Sequence, residues 1–180
     1  MIIKKIKKNF KLETKRFIIK PILLQDVNKN YLSWFKKNTF YIQDSLNKKV
    51  SLNYLKKYVK TNLKENNTIF LAIFNKKKKH IGNIKFHKIN LKKKISNLGI
   101  WIGNENYLKK GVALETLSAS IRFLFDNNYI KKFFLGVASD NTPAIKLYKK
   151  IGFKIISKID SKTYGAILNM TLIQKNFKNV

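Results

Sequence analysis

The chain predicts a mixed α/β fold: a sheet of about seven strands, mostly antiparallel, flanked by about four helices. Three observations lead there. Strand-length apolar runs and helical apolar stripes follow one another in the order strand, helix, helix, strand, strand, strand, helix, strand, helix, strand, strand. Residues 95–139 read as strand, crossover helix and strand, a right-handed unit that demands one parallel pair. Tyr164, Ala166, Leu168, Met170 and Leu172 occupy every second position, so the last strand buries one face.

The elements follow in order. Phe17 to Ile22 is the first strand, ended near Pro21. Gln25 and Asp26 open a helix through Trp34, with Val27, Tyr31, Leu32 and Phe35 at helical spacing. Ser51 caps a second helix to about Lys64, striped by Leu52, Leu55, Val59 and Leu63. Thr68 to Phe74 is an apolar run of strand length. Lys76 to Lys79 is a solvated turn, and His80 to Ile89 is the next strand. Ile95 to Ile102 is apolar on both faces, which suits a central strand. Ala113 to Asn127 is a long helix whose stripe is Leu114, Leu117, Ile121, Leu124 and Phe125. Lys132 to Ser139 is a strand, Thr142 to Ile151 a helix, and Phe153 to Ile159 a strand.

Composition narrows the classes. The 180 residues make one domain over 1–180, with residues 1–13 as a basic N-terminal extension. Two prolines and seven glycines leave no linker for a second domain. Without cysteine there is no disulfide, thiolate zinc site or cysteine nucleophile, and no metal site is expected. No apolar run approaches the roughly 20 residues of a membrane helix, and Met1 to Lys11 lacks the apolar core of a secretory signal. Cytoplasm is the expected location. The net charge of +30 suggests nucleic acid, but 37 of the 39 cations are lysines. With 21 asparagines and 24 isoleucines, this is the set whose codons are rich in A and T. A surface built for phosphate or base recognition would use arginine's fork, and only Arg16 and Arg122 are present. The charge reads as a solvated lysine surface whose field still favours anionic ligands.

Two segments carry chemistry. Leu108-Lys109-Lys110-Gly111-Val112-Ala113 joins a buried strand to a helix start. Gly111 allows conformations closed to other residues, so successive amides can converge on one anion beside the positive helix end. A glycine before a helix also serves as a plain turn. The second segment begins at Asp140, where Asp140 or Asn141 can cap a helix with Pro143 in its first turn and Gly152 past its end. Ala144, Leu147 and Ile151 share its core face, and Tyr148 lies at the edge. Such a tyrosine either packs at a core margin or aims its phenol into the cleft between the parallel strands.

Gly111-x-Ala113, the Ser139-Asp140-Asn141 corner and Ala144-Ile145-x-Leu147-Tyr148-x-x-x-Gly152-Phe153 resemble the two main motifs of the GCN5-related N-acetyltransferases (GNAT). Arg16-Phe17-Ile18-Ile19-Lys20-Pro21, Ile81-Gly82-Asn83-Ile84 and Leu98-Gly99-Ile100-Trp101-Ile102-Gly103 resemble their ribosomal-protein and amino-sugar branch. The likeness spans about residues 14–174. It implies a GNAT-like sheet with a central, splayed parallel pair, here 95–103 and 132–139, and acetyl-coenzyme A as cosubstrate. By the same resemblance, backbone at Trp101 and Ile102 pairs with the pantetheine arm. The amides of Lys109, Lys110, Gly111, Val112 and Ala113 hold the pyrophosphate. The Asn141 side chain contacts the arm, Tyr148 protonates the departing thiolate, and Lys149 reaches the 3′-phosphate. Leu108 and Ala144 complete the expected cofactor contacts. The chain departs from the family pattern twice: Leu108 stands where Gln or Arg is usual, and Gly136 stands where some relatives carry a glutamate base.

The missing glutamate bears on the acceptor. A lysine-like amine is about 0.04% neutral at pH 7, whereas an α-amine near 8 is about 10% neutral and needs little help. His87 is a weak base candidate, with Glu105, Asp44 and Asp140 behind it. The expected reaction is direct attack of a primary amine on acetyl-coenzyme A, with an amino sugar, in particular one linked to a nucleotide, as acceptor. A protein N-terminal amine, as in ribosomal-protein acetylation, is the alternative. Residues 23–65 and the loop near 160 are the expected acceptor site. Of the partners, an amine of a small molecule or peptide is expected, a homodimer is allowed, a membrane is not expected, and a basic nucleic-acid or ribosome binder keeping this fold is the competing class.

Overall fold

The structure, a computed structural model, describes residues 2–36, 50–161 and 165–178. Five helices are described: α1 (Ile2–Asn9), α2 (Lys29–Ser33), α3 (Leu52–Lys64), α4 (Val112–Asp126) and α5 (Thr142–Ile151). The strands are β1 (Leu12–Glu13), β2 (Phe17–Pro21), β3 (Ile69–Asn75), β4 (His80–Asn90), β5 (Ile95–Ile102), β6 (Lys132–Ala138), β7 (Lys154–Ser161) and β8 (Gly165–Ile173). They form one sheet in the order β1-β2-β3-β4-β5-β6-β8-β7. Only β5 and β6 pair in parallel; every other neighbouring pair is antiparallel.

The alternation of side chains divides the sheet into two cores. One holds Ile19, Leu71, Ile84, Leu98, Phe133, Met170 and the inner faces of α1, α4 and α5. The other holds Phe70, Ala72 and Phe74 under Tyr31 and Trp34 of the α2 segment and Leu55 and Val59 of α3. Burying an aliphatic or aromatic side chain of this size contributes roughly 1.5–3 kcal/mol.

The elements from β2 onward match the expected order, and three local features differ. First, residues 1–13 are not a bare basic extension. Ile2, Ile3 and Ile6 recur at helical spacing, and α1 buries Ile3 and Ile6 in the main core. The Lys7 ammonium donates to the carbonyls of Leu63 (2.9 Å) and Glu65 at the end of α3, where a cation suits the helix terminus. Second, β1 adds an eighth strand by pairing with β2. Third, the helix expected over 25–34 is interrupted. The Asp26 carboxylate accepts from the Leu23 amide (2.8 Å) and closes a 3-10 turn. The Asn28 side chain then accepts from the amides of Asn30 (2.9 Å) and Tyr31 (3.3 Å), starting α2 afresh. Ser51 caps α3 as expected, its hydroxyl accepting from the Tyr54 amide at 3.1 Å.

Among the described residues, no helix is long and apolar enough to cross a membrane, and no group of His, Asp or Glu is placed to hold a metal.

Candidate active site

The parallel pair opens. Partners exist only at Ile95–Lys132, Ser96–Phe133 and Asn97–Phe134. Beyond them β5 stays bonded to β4 as far as Ile102, and β6 stays bonded to β8 as far as Ala138. The two strands are thus pulled apart by their outer neighbours, and a wedge forms between 98–102 and 135–138.

Hydrogen-bond parity decides which backbone groups line it. The Gly103 amide donates to Ile81 O (3.1 Å) and the Lys132 amide to Lys94 O (3.2 Å). Odd residues of β5 therefore bond to β4, and even residues face β6. Ile100 and Ile102 lie past the last paired residues, so their N–H and C=O groups face the wedge with no strand to meet them. On β6, Gln174 N donates to Lys131 O (3.2 Å) and Ser139 N to Ala166 O (2.8 Å). Gly136 and Ala138 consequently face β5. Of the two expected pantetheine contacts, Ile102 faces the wedge, while Trp101 turns its backbone to Asn83 of β4. Ile100 turns its backbone to the wedge instead; only the register reveals this, because sequence carries no sign of hydrogen-bond parity.

At the mouth of the wedge stands the start of α4. Gly111 is its N-cap, in the left-handed region (φ 72°), and it offers no capping side chain. Lys109 is left-handed too (φ 56°). Among the described residues, the amides of Lys109, Lys110, Gly111, Val112 and Ala113 donate to no backbone carbonyl. Five such donors at a positive helix end are the chemistry a diphosphate needs. Leu108 is 40% exposed beside it and supplies no polar group.

Helix α5 starts at the adjacent strand end. Asn141 is its cap: Oδ1 accepts from the Ala144 amide at 3.2 Å, which leaves Nδ2 to donate elsewhere. Ala144 is half-buried, and the Tyr148 side chain is buried in the α4/α5 core with its ring 5.6 Å from Phe153. Burial pushes the Tyr148 phenol up to about 12, so it stays protonated through any working pH. Lys149 sits in the last turn of α5, away from Asn141, on a surface groove with Phe153, Lys175 and Lys178. The structure does not bring it to the cradle.

The opposite face of the wedge carries the Lys85 ammonium. Register places Asn83, Lys85 and His87 of β4 beside Asn97, Gly99 and Trp101 of β5. Phe134, Gly136 and Ala138 of β6 and Asn169 of β8 continue that face. The Lys85 ammonium donates to the Tyr58 hydroxyl (2.6 Å) and lies 5.1 Å from that ring. None of these residues is a carboxylate. Burial first, then the charges of Lys85 and Lys88, push the His87 imidazole down to about 4. It is neutral at pH 7 and a weak base. Asp140 stands at the start of α5, and Glu105 is exposed in the 3-10 turn before the cradle. Asp44, the remaining base candidate, lies outside the described residues.

The His87 shift has a testable sign. The folded state binds fewer protons than the unfolded state between pH 6.5 and 4, so a penalty appears as pH falls through that window. Solvent screening of the half-exposed ring reduces it to about 1–2 kcal/mol at pH 4. His87→Gln should therefore lose less melting temperature between pH 7 and pH 4 than the wild type. Identical losses would mean that His87 titrates normally.

A splayed parallel pair with strand-edge donors inside and an anion cradle at its mouth defines an acyltransferase that takes its acyl group from a long phosphorylated carrier. The family model described as acetyltransferase (GNAT) domain matches residues 16–154. The chain belongs to this family and is an acetyl-coenzyme A-dependent N-acetyltransferase. Solved structures agree in fold. RimL, a ribosomal L7/L12 alpha-N-protein acetyltransferase in its apo form, superposes with a TM-score of 0.79 at 17% identity, covering 91% of this chain and 94% of that one. Spermidine N-acetyltransferase from Vibrio cholerae in complex with CoA and spermine gives 0.77 at 18%, covering 91% and 98%. The ribosomal-protein-S5-alanine acetyltransferase from Vibrio fischeri gives 0.78 at 14%, covering 94% and 100%. No curated protein matches the chain.

Proposed function

We propose that this single-domain enzyme acetylates a primary amine carried on an anionic molecule, an amino sugar linked to a nucleotide being the reading the site supports best. The observation that carries it is the face of the wedge formed by β4, β5 and β6, which among the described residues holds the Lys85 ammonium and no carboxylate. A polyamine needs carboxylates to hold its charges, and Lys85 would repel it. A diphosphate or carboxylate near the amine would instead gain a charge-assisted hydrogen bond from Lys85. Among the described residues this face holds no strong base, which fits an amine with a pKa near that of an α-amine, about 8. The same point favours a second reading, a protein N-terminal amine of the kind acetylated by the ribosomal-protein enzymes that share the fold.

Acetyl-coenzyme A, when bound, supplies the acetyl group as a thioester. The cradle amides of 109–113 would hold its diphosphate, and Ile100 and Ile102 its pantetheine arm. Asn141 Nδ2 is available to that arm as well. The neutral amine attacks the carbonyl carbon, forming the C–N bond as the C–S bond breaks, and its surplus proton leaves to water. A wedge-facing N–H of β5 meets the developing oxyanion. Tyr148 Oη holds its proton against the departing sulfur. With a phenol near 12 and a thiol near 8.5, full transfer would cost about 5 kcal/mol. The phenol therefore stabilises the thiolate by hydrogen bonding more than by complete protonation.

The test is an amine panel assayed by thiol release at about 150 mM salt, where surface charge is largely screened. Nucleotide-linked amino sugars should outrank their neutral sugars and spermidine. Lys85→Ala should lower kcat/KM for the anionic acceptor about tenfold, the worth of one exposed charge-assisted bond, with KM for acetyl-coenzyme A unchanged. Spermidine as the best substrate would sink the proposal, and a preference for N-terminal peptides would install the second reading.

A further inference from the structure

Arg16 is one of only two arginines in a chain that otherwise meets every need for positive charge with lysine. It stands just before β2, far from the cradle in sequence, yet it grips the cradle from outside. Its Nε donates to Glu115 Oε2 at 2.7 Å and its backbone amide to Oε1 of the same carboxylate at 3.0 Å. Its Nη1 donates to the Lys110 carbonyl at 2.9 Å. A side chain on Gly111 would begin 3.4 Å from Nη2. One planar fork thus spans the peptide before the N-cap glycine and a carboxylate in the first turn of α4.

Two consequences follow from elementary electrostatics and geometry. A carbonyl at Lys110 that swung inward would present a negative oxygen to a bound diphosphate; the Nη1 bond holds it outward, which keeps the neighbouring amides turned in. Glu115 belongs in the first turn for the helix dipole but opposes an anion there, and the guanidinium neutralises it. Lysine's ammonium is a single point rather than a planar fork, so it cannot reproduce the spacing and direction of the Nε and Nη1 bonds.

We infer that Arg16 is a positioning residue for the cofactor, setting the cradle's backbone through Lys110 and Glu115 rather than attracting the phosphates by its own charge. This rests on the cradle being the diphosphate site. The experiment is calorimetric titration of the full-length protein with coenzyme A, alongside steady-state kinetics, for Arg16→Ala, Arg16→Lys, Glu115→Gln and Gly111→Val. Melting temperatures verify that each variant is folded. Arg16→Ala and Arg16→Lys should both weaken coenzyme A about tenfold, raise KM for acetyl-coenzyme A in step, and leave kcat nearly unchanged. Glu115→Gln should weaken binding in the same direction, although it removes a negative charge beside the site. KM for S-acetylpantetheine, which lacks the diphosphate, should not move. Tighter binding by Glu115→Gln, or full rescue by Arg16→Lys, would mean that charge alone acts and would overturn the inference. Normal binding in the Arg16 variants with binding lost in Gly111→Val would overturn it while leaving the cradle in place. Normal binding in Gly111→Val as well would remove the cradle assignment and the inference with it.

Discussion

Tyr148→Phe lowers kcat by about 10²–10³-fold and leaves KM for acetyl-coenzyme A within about twofold; this range is the usual cost of removing one hydrogen-bond donor to a developing negative charge. Phenylalanine keeps the ring that packs on Phe153 and deletes only the hydroxyl. Among the described residues that hydroxyl makes no hydrogen bond, so its loss should not lower the melting temperature. Activity and stability are thereby separated in one substitution. Because burial holds the phenol near 12, the wild-type rate should show no descending limb from Tyr148 up to about pH 10. The rate should climb instead with the deprotonation of the acceptor amine. The measurement is kcat against pH for both proteins. A variant as fast as the wild type would mean that Tyr148 only packs, and the leaving thiolate would then depend on solvent.

Gly103→Ala is expected to destabilise the fold by about 3 kcal/mol, the upper part of the usual cost of overpacking. Gly103 follows β5, and a β-carbon there would overlap the six-membered and five-membered rings of Trp34. Trp34 cannot easily retreat. It packs edge-on against Tyr31 (4.9 Å), His80 (4.8 Å) and Trp101 (5.6 Å). For a chain of this length the melting temperature should fall by roughly 6–12 °C. Trp34→Leu, itself destabilising, should make Gly103→Ala nearly free in the double variant, because the clash partner has gone. Additive losses in the two variants would show that some other contact limits the position.

Much of this fold was legible because local chemistry agreed with the global arrangement. Ser51 with the stripe Leu52, Leu55, Val59 marked α3 to the residue. The alternation after 164 marked β8, and the apolar run 95–102 marked a strand in the interior of the sheet. The α2 region was misjudged because Asp26 and Asn28 have side chains that compete for backbone amides, and a stripe of apolar residues does not register that competition. The N-terminal helix was hidden by its lysines: Ile2, Ile3 and Ile6 form a short stripe that needs the main core to become a helix at all.

The site divides the same way. The motif around Gly111 and the helix bearing Tyr148 follow from residue types in order, since glycine and helix caps dictate local geometry. Arg16 had one weak signal, its rarity among lysines, and nothing in the sequence connected it to Lys110 and Glu115. The face that gathers Lys85, Asn97, Gly136 and Asn169 was equally invisible, because these residues come from four strands.

By itself, then, the sequence determined most of the elements, among them the glycine-started helix and the capped helix that carries the tyrosine, since each follows from side chains interacting with backbone a few residues away. Only the tertiary structure decided where β5 and β6 part, which amides face the opening, that Trp101 turns from it while Ile100 faces it, and that Arg16 braces the cradle. Those features depend on strand register and on contacts between residues distant in the chain, and these are settled by how the whole sheet pairs and packs.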